Sequence, residues 1–141
     1  MAVEVYLVFN GNCREAVEFY SKVFKTEAPN ISTFGDSPQD PSFTMPEEAK
    51  NLIMHANLNI AGSRVMFSDT WPGSPYVVGN NVTVALVSED EALLRSAFEG
   101  LKEGGTVKME LQETFWSKAF GMVQDKFGVE WQISLESGEQ V

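Results

Sequence analysis

One cysteine, one histidine and half as many basic as acidic side chains set the first limits on what this 141-residue chain can do. Cys13 has no partner for an internal disulfide, so the fold must close on its own packing. Ten Lys and Arg against 20 Asp and Glu give a formal net charge of −10. No basic cluster with interleaved aromatics relieves that charge locally, which argues against nucleic acid and anionic membrane surfaces as partners. No apolar run approaches the ~20 residues of a membrane-spanning helix. Met1-Ala2-Val3-Glu4 has neither the basic flank nor the apolar core of a secretion signal, so a cytoplasmic location is expected. A Ser-His-Asp arrangement, a phosphate-cradling glycine loop and a metal-binding helix motif are also missing, which removes several hydrolase and kinase readings.

The chain does have apolar residues at 43% with only 21% charged, enough to close a core. Val5 to Phe9 is β-branched and aromatic and reads as a strand ending at the Asn10-Gly11 turn. Asn12 and Glu15 have capping-box spacing, and Ala16, Phe19, Tyr20 and Val23 recur at helical period, so a helix should run to Phe24 or Lys25. Pro29 and the proline-rich stretch from Gly35 to Pro46 favour an edge strand followed by an irregular loop. Leu52 to Ile60 alternates Leu52, Met54, Ala56, Leu58 and Ile60 against Ile53, His55, Asn57 and Asn59, and Ala61-Gly62-Ser63 turns it into a strand over Arg64 to Ser68. Trp71 to Asn80 is a connector rich in Pro and Gly.

The pattern then restarts. Val82, Val84 and Leu86 alternate with Thr83 and Ala85. Ser88 and Glu91 form a second capping box, and Leu94, Ala97, Phe98 and Leu101 mark a second helix stopped by Gly104-Gly105. Strands follow over Thr106 to Leu111, Ala119 to Gln124 and Glu130 to Leu135. The order is β-α-β-β-β, twice: an α+β fold of two βαβββ modules, about 1–70 and 81–136 with a connector at 71–80, making one domain. Neither half is large enough to bury its sheet and helix well alone, so a shared, cup-shaped mixed sheet with the helices on its convex side is expected.

This doubled plan resembles the vicinal oxygen chelate superfamily, which includes glyoxalase I, extradiol dioxygenases and bleomycin-resistance proteins. Phe9-Asn10-Gly11-Asn12-Cys13-Arg14-Glu15-Ala16, Ile53-Met54-His55-Ala56, Gln112-Glu113-Thr114-Phe115-Trp116 and Asp125-Lys126-Phe127-Gly128-Val129-Glu130-Trp131 resemble its PhnB-like branch. Some members carry a demethylubiquinone methyltransferase label. The methyl-donor site that label implies needs a glycine-rich strand-to-helix loop, and none is visible here. The resemblance implies homodimers, in which subunits pair or exchange halves. It also implies, in metal-using relatives, four ligands from four strands. Those positions fall on Val5 or Tyr6, His55, Thr83 and Gln132. Valine donates nothing and threonine and glutamine are weak neutral ligands, so a catalytic metal is not favoured. Glu4, Glu110 or Glu130 in a shifted register, together with His55, keep a divalent ion as the alternative.

The candidate ligand-binding residues are His55, Thr83 and Gln132 on the concave side, with Trp71, Phe115, Trp116 and Met122, joined by Phe120, as aromatic and apolar lining. His55, as the one histidine, is the best general acid or base the sequence offers, but no nucleophile or carboxylate stands at fixed spacing from it, so no catalytic residue is assigned. Cys13 is either a helix-terminal thiolate or a packing residue. Asp69 either binds a polar substrate group or caps a turn. The expected function is binding or sequestration of a small organic molecule. One alternative is a metal-dependent isomerase, lyase or dioxygenase; another is a dimeric interaction protein with a filled cup.

Overall fold

A computed structural model describes residues 1–38 and 40–136. The chain divides into two compact units, Met1–Tyr76 and Val77–Val141, and the boundary falls inside the proline- and glycine-rich connector.

In the first unit the elements are β1 (Val5–Phe9), α1 (Cys13–Phe24), β2 (Asn30–Thr33), α2 (Glu47–Lys50), β3 (Ile53–Ile60) and β4 (Ser63–Asp69). The sheet order is β1-β4-β3-β2, with β1 parallel to β4 and the other neighbours antiparallel. Helix α1 packs on β3 and β4, burying Cys13, Ala16, Val17 and Tyr20 against Phe9, Ala56, Leu58, Val65 and Phe67. Tyr20 stacks on Phe67 at 5.8 Å between ring centres. The helix stops where Lys25 turns left-handed, with its N–H donating to the Lys22 carbonyl.

The second unit repeats this plan with β5 (Val84–Ser88), α3 (Glu91–Lys102), β6 (Thr106–Gln112), β7 (Phe120–Gln124) and β8 (Glu130–Leu135), in sheet order β5-β8-β7-β6. Helix α3 packs on all four strands, and its Leu94, Ala97, Phe98 and Leu101 meet Leu86, Val123, Trp131 and Ile133 in the core. The backbone is therefore twice βαβββ, as the hydrophobic periodicity predicts, and each helix covers one face of its own open sheet.

Four local expectations need correction. Helix α1 starts at Asn12, but the Asn12 side chain makes no capping bond; Asp69 supplies it instead, as described below. Helix α3 is capped by Asp90, whose carboxylate accepts from the Leu93 N–H, while the Ser88 hydroxyl accepts from Asp90 N–H one turn earlier. Along β3 it is Ile53 that is buried and Met54 that is exposed. A bulge in the pairing between Ser32 and Thr33 of β2 shifts the phase at that end. Thr83 lies one residue before β5, with Val82 exposed beside it.

Candidate functional site

Strand alternation sends the residues between the core positions to the sheet face away from the helix, and each unit has such a face. In the first unit, Val5 pairs with Val65 and Leu7 with Phe67 toward the core. Tyr6 opposite Met66 and Val8 opposite Ser68 therefore lie on the open face. On β3, Asn57 opposite Met66 and His55 opposite Ser32 join them on that face. His55 is half-buried and its ring lies 6.1 Å from that of Tyr6. Among the described residues, no hydrogen bond engages its imidazole.

The chemistry that closes this unit sits at the end of β4. One oxygen of the buried Asp69 accepts the N–H groups of Gly11 (2.8 Å) and Cys13 (3.0 Å), and the other accepts that of Ile53 (2.9 Å). It caps α1 from 56 residues away and ties the entry of β3 to it, so all its near acceptor capacity is structural. Cys13 is fully buried. Burial, then the neighbouring Asp69 carboxylate, push its thiol up to about 12. A thiol held neutral in this way is a packing group and not a nucleophile. Tyr76, in the connector, donates its hydroxyl proton to the Val8 carbonyl (3.0 Å). Burial, then Asp69, raise its pKa. Trp71, one of the aromatics that sequence reading picked out as lining, packs edge-on against Phe34 at 5.2 Å and tilted on Phe43 at 6.4 Å.

In the second unit, Val84 pairs with Trp131 and Leu86 with Ile133 toward α3. Gln132 therefore faces the open side, flanked by Ala85 on β5 and Met122 on β7. Ala85, not Thr83, is the β5 neighbour of Gln132. Phe120, two residues before Met122, is on the same face, and Trp116 meets its ring edge-on at 5.1 Å. Phe115 meets Trp116 edge-on at 4.7 Å and is 89% exposed, while Trp116 itself is 40% exposed.

Two exposed aromatics in a loop are informative only if the loop is held, and this one is. Thr114 N–H donates to the Ser117 carbonyl (2.8 Å), and Ser117 N–H donates to Thr114 Oγ1 (3.2 Å). The buried Ser117 hydroxyl lies within hydrogen-bond reach of the carbonyls of Ala119 (3.0 Å) and Leu135 (2.8 Å). The loop is thus anchored to the end of β8. Sequence reading picked out the aromatics but missed the Thr114 and Ser117 frame that presents them; the Thr-x-x-Ser spacing was the available signal.

The donor set can be tested directly for a cation. Among the described residues, no three His, Cys, Asp or Glu side chains are grouped so as to hold a metal ion. His55 is the chain's one histidine. Of the carboxylates in a shifted register, Glu4 is bound to Arg64 at 2.6 Å, Glu110 is exposed on β6, and Glu130 pairs in register with Gln124. These residues do not fit a divalent ion.

The chain matches the family model described as 3-demethylubiquinone-9 3-methyltransferase over residues 2–134. It is 36% identical over 141 residues to Protein YjdN of Escherichia coli K12, covering 96% of this chain and 95% of that one. Among solved structures it is similar to protein PA1353 of Pseudomonas aeruginosa, with TM-score 0.82 and 37% identity over 95% of this chain and 96% of that one. It is also similar to the Bacillus cereus PhnB protein, titled as a putative 3-demethylubiquinone-9 3-methyltransferase, with TM-score 0.74 and 25% identity over 96% and 100%. The fold extends to the fosfomycin resistance protein FosX of Listeria monocytogenes, solved with Mn(II) and 1S,2S-dihydroxypropylphosphonic acid, at TM-score 0.63 and 12% identity over 97% and 93%. The chain belongs to the 3-demethylubiquinone-9 3-methyltransferase or PhnB-like family, within the vicinal oxygen chelate superfamily.

Proposed function

We propose that this PhnB-like protein binds or sequesters a small organic molecule. An apolar or aromatic part of the ligand lies on the open sheet face of the second unit, and no catalytic metal takes part. The observation that carries this reading is the hydrogen-bonded loop that holds Phe115 and Trp116 out toward solvent beside Phe120. Their apolar area is left available at a backbone position already fixed, which lowers the ordering cost of binding. Met122 continues the apolar surface and the Gln132 carboxamide offers an NH₂ donor group and a carbonyl acceptor to orient a polar substituent, the balance of lining typical of small-molecule sites. Methyl transfer, which the family description names, finds no glycine-rich turn at either long helix: the connections from β1 into α1 and from β5 into α3 are Asn10-Gly11-Asn12 and Glu89-Asp90. The protein works in the cytoplasm as a homodimer on this reading, with its apolar edge and loop residues in the interface or the ligand site.

Tryptophan fluorescence provides the test. Titration with a neutral aromatic probe, 1-naphthol, is expected to quench saturably, and Trp116→Ala to remove most of the quench and weaken binding at least tenfold, with Trp71 and Trp131 as internal references. Failure of 1-naphthol and related neutral aromatics to quench saturably overturns the reading. The metal-dependent alternative, an isomerase, lyase or dioxygenase, is favoured instead by stoichiometric transition metal in protein purified without chelator and turnover lost on chelation.

A further inference from the structure

We infer that the first unit carries a second binding site, independent of the aromatic face: a polar pocket that takes an uncharged, hydroxyl-bearing group. The pocket holds about 400 Å³ and is lined by Glu27, Ala28, Asn30, Asn57, Leu58 and Asn59. Its origin is local. Strand β2 begins at Asn30, opposite Asn57 of β3. Pro29 immediately before it has no N–H to extend the ladder, so the chain from Glu27 leaves β3 and a space opens between them.

The lining selects a ligand class. Three asparagines line the pocket, and a carboxamide carries two donors and one acceptor. Asn59 Oδ1 already accepts the Gly62 N–H at 2.9 Å, which leaves its NH₂ group for another acceptor. Among the described residues, no hydrogen bond engages the side chains of Asn30 and Asn57. Glu27 adds a carboxylate acceptor. No Lys, Arg or His lines the pocket, so an anion finds no counter-charge in a chain of net charge −10. No aromatic ring lines it, so a flat apolar group finds nothing to stack on. Hydroxyl groups, which donate and accept at once, match a mixed set of carboxamides and one carboxylate. Asn57 stands two residues from His55 on the same strand, but the imidazole is not part of the lining.

The side-chain amide signals of ¹⁵N-labelled protein report directly on these residues. Glucose and inositol, as neutral polyol probes, are expected to shift the Asn30, Asn57 and Asn59 carboxamide resonances saturably, and acetate to leave them unmoved. Asn57→Leu should weaken the response at least tenfold. Asn30→Ala, at an exposed position, should weaken it by a factor of about three or more while the backbone amide spectrum stays that of the folded chain. Trp116→Ala should leave it unchanged, which separates this site from the aromatic face. The absence of saturable shifts with either polyol overturns the proposal. Tighter binding of methylammonium than of either polyol does so too, by making this a cation site of Glu27.

Discussion

Asp69 shows how one side chain can look like a ligand residue and serve the fold. Its carboxylate takes three backbone N–H groups from two separate elements. Charge-assisted bonds of this kind contribute about 1.5–3 kcal/mol each, and leaving the buried donors unpaired adds to the cost. Asp69→Asn keeps the shape but turns an NH₂ group toward one of those donors. We expect it to lower unfolding free energy by about 3 kcal/mol in a urea titration monitored by circular dichroism; a loss below about 1 kcal/mol would show the cap to be dispensable. Cys13, beside it, gives a pH prediction. Its thiol is held neutral up to about 12 in the folded chain against the ordinary 9.0, so the folded form keeps a proton the unfolded form releases. That contribution is fully present below pH 9 and declines as pH rises from 9 toward 12. Relative to Cys13→Ala, the native protein should therefore lose stability more steeply across that window. Iodoacetamide at pH 8 should label Cys13 only in denaturant. The sequence places Cys13 at the start of helix α1 and Asp69 at the end of a strand, but it does not show that the two meet, because the deciding bonds span 56 and 58 positions along the chain.

At the scale of elements, strand and helix placement was legible from periodicity alone: β1 and β8 coincide with their predicted spans, and α1 ends at Phe24 as its spacing implies. What the sequence hid are places where tertiary bonds override local signals, the caps of both long helices and the bulge that buries Ile53. The short α2 follows directly on the proline-rich stretch that ends at Pro46, where the sequence pattern marks no element. The repeat also shows how the two units diverged. Matching the ladders, Phe67 opposite Ala56 corresponds to Ile133 opposite Gly121. The place of His55 is thus taken by Phe120, that of Asn57 by Met122 and that of Tyr6 by Ala85. The first open face thus carries an imidazole and a carboxamide where the second carries a phenyl ring and a thioether, a contrast invisible until the register is known. Glycine marks the tight points of the second unit. A Cβ on Gly121 would stand 3.0 Å from Phe98 and 3.1 Å from Leu111, and one on Gly105 would meet the Gln124 carbonyl. Gly121→Ala presses on the Phe98 and Leu111 side chains, which can shift, and, less closely than the Gly105 Cβ on Gln124, on the Met109 carbonyl at 3.1 Å, so we expect a loss of about 1–3 kcal/mol. Gly105→Ala presses on backbone and should cost more. Thermal unfolding of the two variants side by side tests that order.

At the scale of the whole molecule, charge dominates what can approach. With −10 on 141 residues, two copies of the chain repel one another over the screening length, which shrinks from ~30 Å at 0.01 M salt to ~8 Å at 0.15 M. The apolar side chains exposed on each copy, among them Val77, Val82, Val87 and Phe115, attract by a term that salt does not weaken. The proposed homodimer should therefore tighten as salt rises, by severalfold between about 0.02 and 0.3 M, in sedimentation equilibrium. Opposite-charge contacts between copies would give the reverse slope and would overturn an apolar interface. The same field grades small ligands. Binding of neutral 1-naphthol and glucose should be nearly flat across that salt range, while a cationic analogue of either should bind best at low salt and lose its advantage as screening sets in. Duplex DNA, with one charge per ~1.7 Å of helix axis, should show no retention even at the lowest salt, where attraction of opposite charges would be strongest. Measurable DNA binding there would require a concentrated basic surface, yet Arg64, Arg95, Lys50 and Lys102 each sit on a carboxylate of their own unit.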